Sequence, residues 1–93
     1  MKVFGCTMQQ HYSGGIILVA ANSVEEAFEL ASTYERIDFL FNWETPDGFY
    51  AKPHAEGAVL KSSYYPFEKW HEFEHLSCDY TEPQVILEES YFE

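Results

Sequence analysis

Ninety-three residues, 46% hydrophobic and 18% aromatic, describe one folded domain with a single core, too short for two cores and too apolar for a disordered chain. Sixteen Asp and Glu against five Lys and Arg give a formal net charge of −11, which argues against direct nucleic-acid binding because phosphate contact needs cations to replace released counterions. No apolar run is long enough to cross a bilayer, and residues 1–21 do not read as a secretory leader.

Lys2 to Met8 alternates, with Phe4, Cys6 and Met8 on one side, as a strand with one better-buried face does. Gly14-Gly15 then precedes the continuous apolar run Ile16 to Ala21. The pair reads as a β-hairpin whose second strand, apolar at both parities, lies inside a sheet. Cys6 reads as a small buried hydrophobe. With Cys78 it allows one disulfide but no disulfide framework, and reduced, cytoplasmic thiols are the default.

Ser23-Val24-Glu25-Glu26 has the form of a capping box, with Ser23 accepting from the Glu26 amide and the Glu26 carboxylate reaching back to Ser23. Val24, Ala27, Phe28, Ala31 and Tyr34 follow at helical spacing. From Arg36 the period changes: Ile37, Phe39, Phe41 and Trp43 alternate with Arg36, Asp38, Leu40 and Asn42 and predict a strand over 36–43, with an extension of the helix through Leu40 as the competing reading. Thr45-Pro46-Asp47-Gly48 is a turn, Phe49 to Lys52 a short strand pairing back, and Pro53 to Ser63 a loop holding one short strand at Ala58 to Leu60. Pro66 then suits the start of a helix running to about Leu76. Gln84 to Phe92 reads as a last strand. The fold expected is α+β and two-layered, with a mainly antiparallel sheet of three to five strands.

His71-Glu72-Phe73-Glu74-His75 matches His-Glu-x-x-His, in which two imidazoles one helical turn apart hold zinc and the glutamate activates its water. On a helix, Cys78 falls on the same arc as His71 and His75, so a zinc site of His71, His75 and Cys78 with Glu72 as base is one reading. Against it, Phe67, Trp70, Phe73 and Leu76 mark the packing face and turn both histidines outward, and no glycine-marked extension or clear third ligand follows. The preferred reading is a solvated acidic face, no metal and no cofactor. His11 and His54 fall in loops. Gly14-Gly15 lacks the lysine and helix of a phosphate loop, and no nucleophile elbow is present.

Residues 66–93 hold Glu68, Glu72, Glu74, Asp79, Glu82, Glu88, Glu89 and Glu93 against Lys69 alone. Tyr12, Tyr50, Tyr64, Tyr65, Trp43 and Trp70 fall near loops or element ends, and Tyr and Trp beside acids are what protein-binding surfaces use as anchors. The sequence therefore suggests a non-enzymatic acidic protein docking on a basic protein partner. Its expected contacts are Glu68, Glu72, Glu74, Asp79, Tyr64, Tyr65 and Trp43, and nucleic-acid mimicry would be one form of such docking. Brevity and acidity suit an accessory protein of the kind phages and mobile elements encode. A small-molecule module with a Tyr- and Trp-lined pocket, formed within one chain or in a homodimer groove, is the remaining alternative.

Overall fold

A computed structural model of the chain describes residues 1–9, 12–46, 50–51, 56–76 and 79–91. The first hairpin forms as the alternation dictates: β1 (Lys2–Gln9) pairs antiparallel with β2 (Gly14–Ala21), Phe4 opposite Val19 and Cys6 opposite Ile17. Those four side chains share one face and belong to the main apolar cluster, with Cys6, Ile17 and Val19 fully buried. Burial of each large aliphatic contributes roughly 1.5–3 kcal/mol. Val3 and Ala20, on the opposite face, are buried too, so β2 is covered on both sides as its continuous apolar run requires.

The helix α1 (Val24–Ser32) begins at Ser23, whose hydroxyl accepts from the Glu26 amide at 3.2 Å. The reciprocal half of the cap differs from expectation by one residue. Glu26 Oε1 accepts from the backbone N–H of Asn22 at 2.9 Å and from its side-chain amide at 3.3 Å, rather than from Ser23. No basic residue lies in the last turn, and hydroxyls serve its carbonyls instead: Ser32 donates to Glu29 O at 2.8 Å, and Thr33 donates to Glu29 O and Leu30 O at 3.2 Å. Ala27 and Ala31, fully buried, form the contact line against the sheet; small side chains there let the helix approach β1 and β2 closely.

The segment 36–43 is neither the long strand nor the helix extension. The N–H of Ile37 donates to Tyr34 O at 3.0 Å and that of Leu40 to Ile37 O at 2.9 Å, closing successive tight turns that end in a 3-10 turn, Asp38–Leu40. Ile37 and Phe41, four apart, are the buried pair, whereas Phe39 is 70% exposed, and that exposure breaks the supposed alternation. Only Phe41–Glu44 is strand, β3. It is the centre of a three-stranded sheet between β4 (Tyr50–Ala51) and β5 (Val59–Ser63). The strand β5 begins one residue later than expected and runs three residues further. Asp47 and Gly48 of the expected turn lie outside the described residues.

The larger correction concerns 66–76, which is not helical. Phe67–Lys69 forms one 3-10 turn, closed by the Trp70 N–H donating to Phe67 O at 3.0 Å. Then β6 (His71–Glu72) pairs with β1, Gly5 opposite His71 and Phe4 opposite Glu72, and the Phe73 amide donates to Val3 O at 2.8 Å. The i, i+3 apolar spacing that imitated a helix arises differently. Trp70 is buried, with its indole N–H donated to Tyr65 O at 2.9 Å, while Phe67 and Leu76 are 42% and 40% exposed and belong to no common stripe. The edge of β1 gains a partner that a helix could not supply, since its backbone groups need a ladder.

Finally β7 (Gln84–Tyr91) pairs antiparallel with β2, with a register shift at Leu18/Val19. The four-stranded sheet has the order β6-β1-β2-β7, and α1 lies against β1, β2 and β7. The protein is thus α+β with mainly antiparallel sheet.

Gly5 lies where β6 closes over β1: a Cβ there would meet the Ile17 carbonyl, the Leu18 methyl at 2.7 Å and the Phe73 ring at 2.9 Å. Replacement Gly5→Ala is therefore expected to cost about 1–3 kcal/mol in urea denaturation by overpacking. Ser23→Ala should cost about 1 kcal/mol through the lost cap, and Thr7→Ala, at an exposed strand position, less than about 0.5 kcal/mol.

Candidate functional site

The residues of the zinc reading are carried by a strand and a turn, where four-residue spacing no longer stacks two imidazoles over each other. His71 and His75 both lie against the Phe73 ring, with centroids 4.6 Å and 6.3 Å from it. Both are exposed, and His71 Nδ1 lies 3.4 Å from Lys69 O. Glu72 faces the other side of the sheet from His71, opposite Phe4, and its carboxylate is 3.8 Å from Lys2 Nζ. Among the described residues no group of three or more His, Cys, Asp and Glu side chains is placed to hold a metal ion; Cys78 lies outside them.

The expected partner-binding residues divide. Glu68, Glu74 and Asp79 are exposed. Glu72 is half-buried and partly neutralised by Lys2. Tyr65 is fully buried and no surface anchor: its hydroxyl is 2.6 Å from that of Ser90, its ring meets Tyr64 edge-on at 5.0 Å, and it packs over Gly15, where a Cβ would strike the Tyr65 oxygen. Tyr64 and Trp43 are half-buried and pack on the core cluster. The Trp43 indole nitrogen is buried without a hydrogen-bond partner among the described residues. Glu88 also leaves the acidic surface: its side chain is 7% exposed, on the core face opposite Ile17, and 3.7 Å from Arg36 Nε.

What spacing alone missed is the role of α1. The aromatic Phe28 turns to one flank, where its ring meets Phe41, Phe67 and Trp70 edge-on at 5.3–5.8 Å. On the other flank Glu26, Glu29, Leu30 and Thr33 line, with Pro83, a shallow groove of about 380 Å³. Glu25 and Glu29 are both exposed. Glu82, which precedes Pro83, is exposed. The signal was present in the chain as an absence, since no Lys or Arg occurs between Lys2 and Arg36 or after Lys69. A second hollow of about 280 Å³ is lined by Thr7, Met8, Gln9, Gly15, Ile16 and Glu89. Neither hollow carries the Tyr and Trp lining of the small-molecule reading.

Cys6 is no nucleophile candidate. Burial pushes its thiol up to about 11, Lys69 lowering it and Glu68 raising it by smaller amounts; only the thiolate is reactive. Burial likewise raises the Tyr65 hydroxyl, against the lowering effect of its bond to Ser90. No protein-family model matches the chain, and neither a characterised protein nor a solved structure shows significant similarity to it.

Both raised groups hold their protons in the folded state at pH values where the unfolded chain has lost them, so each favours unfolding as pH rises. Stability should be unaffected by Cys6 below pH 9.0 and fall from there to about pH 11. Cys6→Ala should flatten that part of a urea-stability profile against pH, measured beside the parent; an unchanged slope would contradict the assignment.

Proposed function

We propose that the chain is a small non-enzymatic binding protein that docks on a basic protein partner through acidic side chains framed by exposed apolar ones. The observation that carries this reading is the flank and outer face of α1. Glu25, Glu26 and Glu29 stand on a helix without a basic residue, and Glu26 and Glu29 line a groove with Leu30, Thr33 and Pro83. A lysine or arginine fits such a groove twice over, its aliphatic stem on Leu30 and its charge beside the carboxylates. On the opposite flank Phe67, 42% exposed, stands beside Glu68 and adds aromatic area.

The reading takes the molecule as two layers, α1 over the four-stranded sheet, so that the acidic ridge is the outermost surface of the helical layer. Exposed Glu74 and Asp79 enlarge the negative field and steer a basic partner from a distance. Such a surface suits occupation of a groove that would otherwise hold nucleic acid. It uses no metal and no cofactor. Among the described residues no helix is long and apolar enough to cross a membrane.

Binding to immobilised polylysine tests the charge basis. Retention should be strong at about 50 mM salt and largely lost by about 500 mM, because contact between exposed charges is screened over a few ångströms there. The combined Glu25→Gln, Glu29→Gln and Glu82→Gln variant should elute at clearly lower salt with unchanged Tm. Retention indifferent to ionic strength, or unaltered in the variant, would remove the basis for this reading.

A further inference from the structure

The two long edges of the four-stranded sheet are finished differently. At one edge, β6 and Phe73 cover β1 over Val3, Phe4 and Gly5; at the other, β7 is paired with β2 on one side and, among the described residues, with no strand on its outer side. It is also long, eight residues, whereas exposed edges are ordinarily kept short because their unpaired N–H and C=O groups template another strand. The register shift lies toward its Pro83 end, between the Val19–Val85 and Leu18–Leu87 pairs, and residues 87–91 run in regular register with β2.

We propose that this edge receives an extended segment of the basic partner by strand addition, the segment lying beside β7 with alternate lysine or arginine side chains turned toward α1. The inference rests on the basic-partner reading and specifies how the contact is made. A strand added there has two rows of side chains. One row projects to the side of the sheet that carries α1, where Glu26 and Glu29 line the groove that ends at Pro83. The other projects to the side carrying Leu18 and Leu87, the latter 39% exposed. A segment alternating basic and apolar residues matches both rows, and its backbone supplies the partners that β7 lacks.

Charge decides between this occupant and a second copy of the chain. Strand β7 carries the exposed Glu89, Glu88 held by Arg36 on the core face, and no Lys or Arg of its own, and each copy bears a net charge of −11. Association of two copies along β7 would bring together two strongly negative molecules with Glu89 on each edge, which is unfavourable, whereas a basic strand meets opposite charge at Glu89 and at the Glu26 and Glu29 groove.

The test uses the full chain and three synthetic probes: the peptide Lys-Val-Lys-Val-Lys-Val-Lys, the same peptide N-methylated at alternate residues on the edge that would pair, and polylysine. Amide hydrogen exchange and NMR shifts are followed along β7. The unmodified peptide is expected to bind and to slow exchange at the outward-pointing amides of residues 87–91, the N-methylated peptide to bind at least about tenfold more weakly, and Glu29→Lys to weaken the unmodified peptide at least about threefold. Equal binding of the two peptides with no protection of β7 overturns strand addition while leaving the basic-partner reading standing. Failure of both peptides and of polylysine to bind overturns both. Protection of β7 in the free protein that grows with protein concentration would assign the edge to a second copy and overturn the proposal.

Discussion

Tyr65 holds together parts of the chain that have no backbone ladder between them. It follows the end of β5, so it belongs by sequence to the three-stranded sheet, yet its hydroxyl reaches Ser90 on β7 at 2.6 Å and its carbonyl accepts the Trp70 indole at 2.9 Å. Buried polar groups are costly unless paired, and here the phenol oxygen, the serine hydroxyl and the indole nitrogen are satisfied by bonds that converge on one residue. Gly15 makes room for it, since any side chain there would occupy the position of the tyrosine oxygen. Once Trp70 is fixed, the chain emerges at the edge of β1 and β6 follows, so one residue ties to both edges of the large sheet, through its carbonyl on one side and its hydroxyl on the other.

Local rules sufficed wherever local groups satisfy one another. The hairpin is legible because Phe4, Cys6, Ile17 and Val19 set its parity, and α1 because Ser23 caps it and Ala27 and Ala31 mark its buried line. The last strand is legible for the same kind of reason. The two misread segments share a cause: an apolar spacing whose members do not do the same thing. In 67–76, Trp70 is core while Phe67 and Leu76 are surface; in 36–43, Ile37 and Phe41 are core while Phe39 is surface. Periodicity assumes a common environment for like residues. In a small domain with 18% aromatic residues that assumption fails, because there is more ring area than one core can take in.

The acidic character of the chain was legible in the sequence, and the exposure of each carboxylate was not. Counting acids along the C-terminal third pointed to Glu68, Glu72, Glu74 and Asp79, but burial beside Arg36 withdraws Glu88 and pairing with Lys2 tempers Glu72. The helix contributes the carboxylates that stand beside a groove. Linear density of charge says nothing about which carboxylates a sheet turns inward. Likewise Tyr65, attractive as an anchor for being aromatic near an element end, belongs to the core, and Tyr64 and Trp43 pack against it half-buried.

The strand order has a consequence for how the molecule assembles. The pairing of β1 with β2 and the docking of α1 are contacts within residues 2–32, whereas Gly5 meets His71 and Gly14 meets Tyr91 only after most of the chain has been made. Contacts close in sequence form at little loop-closure cost, and distant ones follow. The N-terminal hairpin and its helix therefore hold the contacts that can form first, whereas both flanking strands of the sheet come from residue 71 onward. The strand that flanks Ile17 and Val19 is the latest of the sheet in chain order, so closure of the core waits on residues 84–91.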